Sequence, residues 1–108
     1  MEKYVIAHDV VTSSIKTALI SEQGEVLSHA TSAYGFTYPK PGWVEQNPED
    51  YWTGSVSNTR NILAESKIDP AKILGIVFST QAMGIIPLDE KNKLLKHNIT
   101  WVDGRAED

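Results

Sequence analysis

The apolar positions of this chain fall into short runs first and a single helical stripe later. Residues 4–7 are continuously apolar, and Asp9 closes the run, as in a strand buried on both faces. Residues 14–21, with Ile15, Leu19 and Ile20, favour a second strand. Glu22-Gln23-Gly24 is a turn signal. Residues 25–33 alternate Leu27, His29, Thr31 and Ala33 against Val26, Ser28, Ala30 and Ser32, which predicts a third strand. Three strands joined by tight turns make an antiparallel meander.

The segment 35–43 holds two prolines, two glycines and three aromatics, so it predicts an ordered loop. Asn47 is an N-cap residue and Pro48 suits the first helical position. Asp50 follows three residues after the cap, in the manner of a capping box with a shortened acid. The helix is expected from 48 to about 65. Tyr51, Trp52, Ser55, Val56, Thr59, Ile62 and Leu63 form its apolar face at helical spacing, and the meander is the flat surface for it to cover. Asp69-Pro70 starts a one-turn helix that leads into 73–79, a strand apolar on both faces. Reached through a helix, this strand is expected to run parallel to its neighbour in a right-handed crossover. Residues 85–88 read as another strand, with Pro87 marking an edge or bulge. Residues 94–95 and 98–102 read as a final strand pair, or a strand and a loop. The order β-β-β-α-β-β, with an incomplete mixed sheet, is α/β in class.

Composition narrows the functions. The 108 residues, 41% hydrophobic and 22% charged, are those of one ordinary globular domain. The net charge is −4, and the basic residues are dispersed, which argues against a nucleic-acid partner. The chain has no cysteine, so disulfides and thiolate metal sites are excluded. The apolar runs are too short for a membrane span or a signal peptide, and a cytoplasmic protein is expected.

Two polar clusters follow strands. Asp9, Thr12, Ser13, Ser14 and Lys16 crowd the first turn. A carboxylate there can hold hydrated Mg²⁺, the hydroxyls and turn N–H groups can donate to phosphate, and Lys16 can offset charge in phosphoryl transfer. A plain hairpin turn uses the same residue types. Thr80-Gln81-Ala82-Met83-Gly84 follows the second apolar strand, where open α/β sheets place ligands. Gln81 both donates and accepts, as a hydroxyl-rich substrate requires; a polar crossover between strands reads equally well. In Trp101-Val102-Asp103-Gly104-Arg105, Asp103 and Arg105 read as a local ion pair, with sugar-hydroxyl binding by Asp103 as the alternative. Gly42-Trp43-Val44-Glu45-Gln46 reads as a candidate binding loop, with Trp43 packed under the loop as the commoner alternative. His8, His29 and His97 lack metal-ligand spacing.

Taken in order, these segments match a known pattern. Asp9-x-x-Thr12-Ser13-x-x-Lys16 resembles the first phosphate motif of the actin-like ATPase superfamily. Gly42-Trp43-Val44-Glu45-Gln46-Asn47-Pro48 with Trp52, then 75–84, then Leu88-Asp89 and 99–105, resemble corresponding segments of the FGGY carbohydrate kinases, in a xylulose-kinase-like or gluconate-kinase-like flavour. The resemblance implies a ribonuclease-H-like fold and an ATP- and Mg²⁺-dependent sugar kinase. It implies that Asp9 lies near the metal and that Thr12, Ser13 and Lys16 face the nucleotide. It also implies that Gln81, Ala82, Met83, Trp101 and Asp103 contact the sugar or sugar acid.

There are two departures. Val11 stands where the family has glycine, which is expected to weaken nucleotide binding because valine resists positive φ and adds bulk. Ala82-Met83 stands where xylulose kinases carry Met-His, removing a hydrogen-bonding side chain. Family members are much longer, with the catalytic base well beyond residue 108. Residues 1–108 therefore read as the N-terminal portion of the kinase N-terminal domain, holding no catalytic residue and inactive alone. The other reading is a non-catalytic binding module on the same fold. Unpaired sheet edges predict self-association in either case.

Overall fold

The computed structural model describes residues 2–107. The strands β1 (Tyr4–Val10), β2 (Ser14–Ser21), β3 (Val26–Ala33) and β5 (Ile73–Thr80) form one sheet in the order β3-β2-β1-β5. β1 pairs antiparallel with β2 and β2 with β3, while β5 runs parallel to β1. The meander and the crossover through the helix are thus as the sequence predicts, in a mixed α/β sheet. Gly24, at φ 84, turns β2 into β3 in the left-handed region that glycine enters freely.

Helix α1 (Pro48–Ser66) starts where Asn47 accepts the Glu49 N–H, with Pro48 in the first turn. It ends on Lys67, which is left-handed at φ 58 and donates its N–H to the Leu63 carbonyl. The buried face differs from the expected stripe. Gly54, Ser55, Asn58 and Ile62 are buried, whereas Trp52 points to solvent. The reason is a ridge of every fourth residue, Gly54-Asn58-Ile62, seated on the sheet. A Cβ on Gly54 would stand 3.0 Å from Ile15 Cδ1, so glycine sets the closeness of helix and sheet. Tyr4, Ile6, Leu19 and Ile62 form the apolar core, packed by Ala30, Ile68 and Ile73.

A polar chain crosses this core. Asn58 Nδ2 donates to the Ile15 carbonyl at 3.1 Å and to Thr17 Oγ1 at 3.0 Å, and its Oδ1 accepts from Ser32 Oγ at 2.6 Å. Thr17 in turn meets His8 Nδ1 at 2.8 Å. His8 stacks on Phe78, and burial lowers its pKa, so the neutral ring that accepts the Thr17 proton is favoured.

Three expectations need correction. The segment 85–88 is not a strand: Ile85 bridges Ile99 and Leu88 bridges Leu94 as isolated pairs. Pro87 and the tight turn at 89–93 leave no room for a ladder. The final strand is reduced to β6 (Asn98–Ile99), and it pairs with β4 (Glu45–Gln46), inside the segment leading to the helix. Lastly, β5 is not buried on both faces, since Leu74, Ile76, Val77 and Phe78 are more than half exposed. A helix about 10 Å wide covers roughly two strands spaced about 4.8 Å apart, and α1 lies over β2 and β3. No helix among the described residues is long and apolar enough to cross a membrane.

Candidate functional site at the end of the central strands

The first polar turn is built by β1 ending at Val10 and β2 starting at Ser14. Val11 N–H donates to the Ser14 carbonyl at 3.0 Å, and Tyr34 N–H donates to the Ser13 carbonyl at 3.0 Å. Tyr34 Oη also donates to the Val11 carbonyl. Val11 is not among the left-handed residues, which besides glycine are Lys67, Met83 and Asn92 among the described residues. The expected conflict between valine and positive φ is therefore absent, and only the bulk of its side chain distinguishes it from glycine here.

Burial raises the Tyr34 phenol to about 12, with help from Tyr51 and the Asp9 charge. Between the ordinary value of 10.0 and about 12 the unfolded chain loses this proton first. Folding stability is then full below that window and falls as pH rises through it. Tyr34→Phe is expected to make this alkaline loss shallower in urea-unfolding midpoints taken from pH 9 to 12. It does not abolish the loss, because Tyr4 and Tyr51 are raised in the same direction.

Asp9 lies in register with Lys16 across β1 and β2 and with Ser79 on β5. All three line a shallow concavity of about 410 Å³ on the sheet face opposite α1. No group of three His, Asp or Glu side chains converges on a metal position among the described residues. The donor set nevertheless fits Mg²⁺ held with phosphate, which needs one or two carboxylates and keeps its other positions for water and phosphate oxygens. Among the described residues, Asp9 is in no ion pair, and it is exposed at the strand end.

A second, smaller pocket of about 270 Å³ lies on the helix side of the same sheet end. Val10, Tyr51, Gln81, Met83, Gly84 and Asn98 line it. It is the chemically richer of the two. Gln46 Nε2 donates to the Thr12 carbonyl at 2.6 Å. A carbonyl only accepts, so this bond fixes the orientation of the Gln46 amide. Its Oε1 then accepts from Tyr51 Oη at 2.6 Å and from Gln81 Nε2 at 3.0 Å. Having given its proton to Gln46, Tyr51 Oη accepts from Asn98 Nδ2 at 2.9 Å. Every amide orientation in the network thus follows from one backbone carbonyl. Two buried oxygens, Gln81 Oε1 and Asn98 Oδ1, are left without a partner. Gln46 and Asn98 are only 1% and 3% exposed.

The loop before α1 is held from the other side. Arg105 donates to Asp103 through Nε at 2.8 Å and Nη2 at 2.8 Å, and to Glu45 at 2.7 Å. Lys96 adds a second pair to Glu45 at 3.1 Å. The Arg105 guanidinium also lies 4.0 Å from the centre of the Trp43 ring. Burial pushes the Glu45 carboxyl up, but hydrogen bonds from Arg105 and Lys96 outweigh it and leave the group below its usual range. The Arg105 hydrogen bonds hold Asp103 well below the usual carboxylate range.

The residues singled out by sequence therefore divide. Thr12, Gln81 and Trp101 are brought together, since Gln81 N–H donates to the Val10 carbonyl at 2.9 Å and Trp101 Nε1 donates to Thr12 Oγ1 at 3.2 Å. Asp9 and Lys16 reach the same strand end from the other face, with Ser13 exposed on the turn between. Met83 is 88% exposed at φ 64, and Ala82 beside it is exposed. Asp103 is engaged by Arg105 and by the Val44 N–H at 2.6 Å, so the ion pair forms as read. Gln46, Tyr51 and Asn98 complete the network; the sequence gives Tyr51 and Asn98 no site role, and Gln46 only a place in a candidate binding loop. The one signal was the position of Gln46 in the loop that matched the family pattern.

Known proteins share this arrangement of chain. The chain is 34% identical over 96% of its length to a xylulose kinase of Bacillus subtilis, of which it covers 21%. It is 33% identical over 100% of its length to a glycerol kinase of Bdellovibrio bacteriovorus, covering 22% of that protein. The crystal structure of a gluconate kinase from Lactobacillus acidophilus superposes with a TM-score of 0.87 at 29% identity, over 96% of this chain and 20% of that one. The chain thus spans about a fifth of the length of these relatives. Residues 4–108 match the N-terminal domain of the FGGY family of carbohydrate kinases, and the chain belongs to that family.

Proposed function

We propose that this chain supplies the amino-terminal part of an ATP- and Mg²⁺-dependent kinase that phosphorylates a hydroxyl of a sugar or sugar acid. The observation that carries the reading is the Gln46 side chain, which joins the carbonyl of the phosphate turn to the amide of the substrate loop. One buried group thereby ties the place where phosphate would be held to the place where a hydroxyl would be held. Positioning and charge stabilisation supply most of the catalysis in phosphoryl transfer.

In this reading Thr12 and Ser13 donate to nucleotide phosphate oxygens. The Thr12 proton is free for this because Trp101 Nε1 is the donor in their mutual bond. Lys16 balances negative charge, and Asp9 holds the hydrated metal. Mg²⁺, when bound, neutralises the phosphate oxygens. Gln81 orients the acceptor sugar, with Ala82, Met83 and Trp101 beside it, and Asp103 acts through the Arg105 pair that fixes the loop. The base that takes the hydroxyl proton lies outside these 108 residues, and a cytoplasmic location follows from the use of ATP.

A second reading, a non-catalytic module that self-associates, is favoured by the bare apolar edge at β5. One experiment separates the two. The protein encoded by the whole reading frame containing this chain is assayed with ATP, Mg²⁺ and D-xylulose, glycerol or D-gluconate, with light scattering in parallel. The kinase reading expects turnover that falls about 100-fold or more in Asp9→Asn, and no turnover from residues 1–108 alone. A stable dimer without turnover, and without any response to ATP and Mg²⁺, would overturn it in favour of the second reading.

A further inference from the structure

The turn between β1 and β2 is held by its carbonyls. Three consecutive ones have donors: Tyr34 Oη on Val11, Gln46 Nε2 on Thr12 at 2.6 Å, and the Tyr34 N–H on Ser13 at 3.0 Å. Among the described residues, neither the Thr12 N–H nor the Ser13 N–H donates to a backbone carbonyl. A trans peptide unit is planar, so its C=O and N–H point in opposite directions. Tyr34 Oη therefore sets the direction of the Thr12 N–H along with that of the Val11 C=O. Gln46 does the same for the Ser13 N–H. Successive N–H groups without internal partners are the donors that an anion cradle needs.

Tyr34 is tied down from two sides. It follows directly on β3, so its N–H extends the β2–β3 pairing to Ser13. Its half-buried ring packs edge-on against Tyr51 at 5.2 Å, and Tyr51 Oη donates to Gln46 Oε1 at 2.6 Å. The two tyrosines thus brace neighbouring peptide units, one directly and one through Gln46. Without the Tyr34 hydroxyl nothing opposes rotation of the unit between Val11 and Thr12. Rotation would bring a carbonyl oxygen to where the Thr12 N–H stands, and an oxygen there repels phosphate where the N–H attracts it.

We infer that Tyr34 is a positioning residue for nucleotide phosphate: its hydroxyl holds the Val11 carbonyl away from the phosphate and keeps the Thr12 N–H turned out for it. The inference deepens the kinase reading and rests on it for the ligand, but its test reads binding rather than turnover.

The whole protein and its Tyr34→Phe variant are titrated by calorimetry with ADP and Mg²⁺ and, separately, with adenosine. Phenylalanine keeps the ring against Tyr51 and the N–H bond to Ser13, and removes only the hydroxyl. ADP is expected to bind the variant about tenfold more weakly, the order of one hydrogen bond, with adenosine unchanged. Adenosine lacks the phosphates, so the ratio of the two affinities isolates the turn. Partial unfolding weakens both ligands by one factor and leaves the ratio alone. A second measurement needs no variant: in ¹⁵N-threonine-labelled protein, ADP with Mg²⁺ is expected to shift the Thr12 amide resonance.

A ratio unchanged in Tyr34→Phe, or a Thr12 amide unmoved by bound ADP, would overturn the inference. If the ratio is unchanged while the whole protein phosphorylates a sugar, the kinase reading stands and the inference fails. If the ratio falls as expected yet no sugar is phosphorylated, the inference stands and the kinase reading fails. Failure of ADP to bind at all would overturn both.

Discussion

Replacing Asn58 with alanine is expected to destabilise the fold by about 2–4 kcal/mol. Asn58 is 0% exposed and bonds with Ile15, Thr17 and Ser32 at once. Truncation removes all three bonds and opens a void between α1 and the sheet. The Ser32 hydroxyl loses its acceptor and Thr17 keeps only His8, so the penalty includes polar groups left unpaired as well as lost packing. Urea unfolding of the protein and of Asn58→Ala, compared at equal slope, reads the change. A loss below about 0.5 kcal/mol, the range of neutral surface substitutions, would show that the helix is held by its apolar contacts alone.

The second large effect concerns activity. Gln46→Glu keeps an acceptor for Tyr51 and Gln81 but puts a carboxylate oxygen against the Thr12 carbonyl, where Nε2 now donates at 2.6 Å. The substrate loop stays in place and the phosphate turn is released. The expected result is a fall of about 100-fold in kcat, the order of loss from misplacing a reacting group by about 1 Å, with a much smaller rise in KM for the sugar. Gln46 is a positioning residue here, and steady-state kinetics with ATP and sugar varied in turn separate the two parameters. A fall in kcat that disappears once the rate is divided by the folded fraction, read from the unfolding curve of the same sample, would mean that Gln46 serves only to keep the protein folded.

Much of the fold could be read from local patterns. The Asn47-Pro48 start of α1, the Glu22-Gln23-Gly24 turn and the apolar run of β5 each state their structure within a few residues. What was misread depended on distant partners. Residues 85–88 looked like a strand by composition, but strand status needs a neighbour over several residues, and only isolated bridges form. The helix stripe was misplaced toward Trp52 because size suggested burial, whereas the small residue Gly54 and the polar Asn58 make the closest contacts. The site was half legible. Thr12, Gln81 and Trp101 stand out by residue type after strong strands. Asn98 does not, because its role exists only through Tyr51, 47 positions earlier. Gln46 likewise works through Thr12 and Gln81, 34 and 35 positions away. No window along the chain contains these pairs.

The central claim is that the phosphate turn and the substrate loop are two walls of one site. The measurement that tests it most directly is a crystal structure of the whole protein with ADP, Mg²⁺ and D-xylulose. The account predicts nucleotide phosphate against Thr12 and Ser13, with the metal near Asp9. It also predicts the sugar in the pocket that Tyr51, Gln81, Met83 and Gly84 line. Sugar bound away from that pocket, or nucleotide bound with the 11–14 turn untouched, would contradict it.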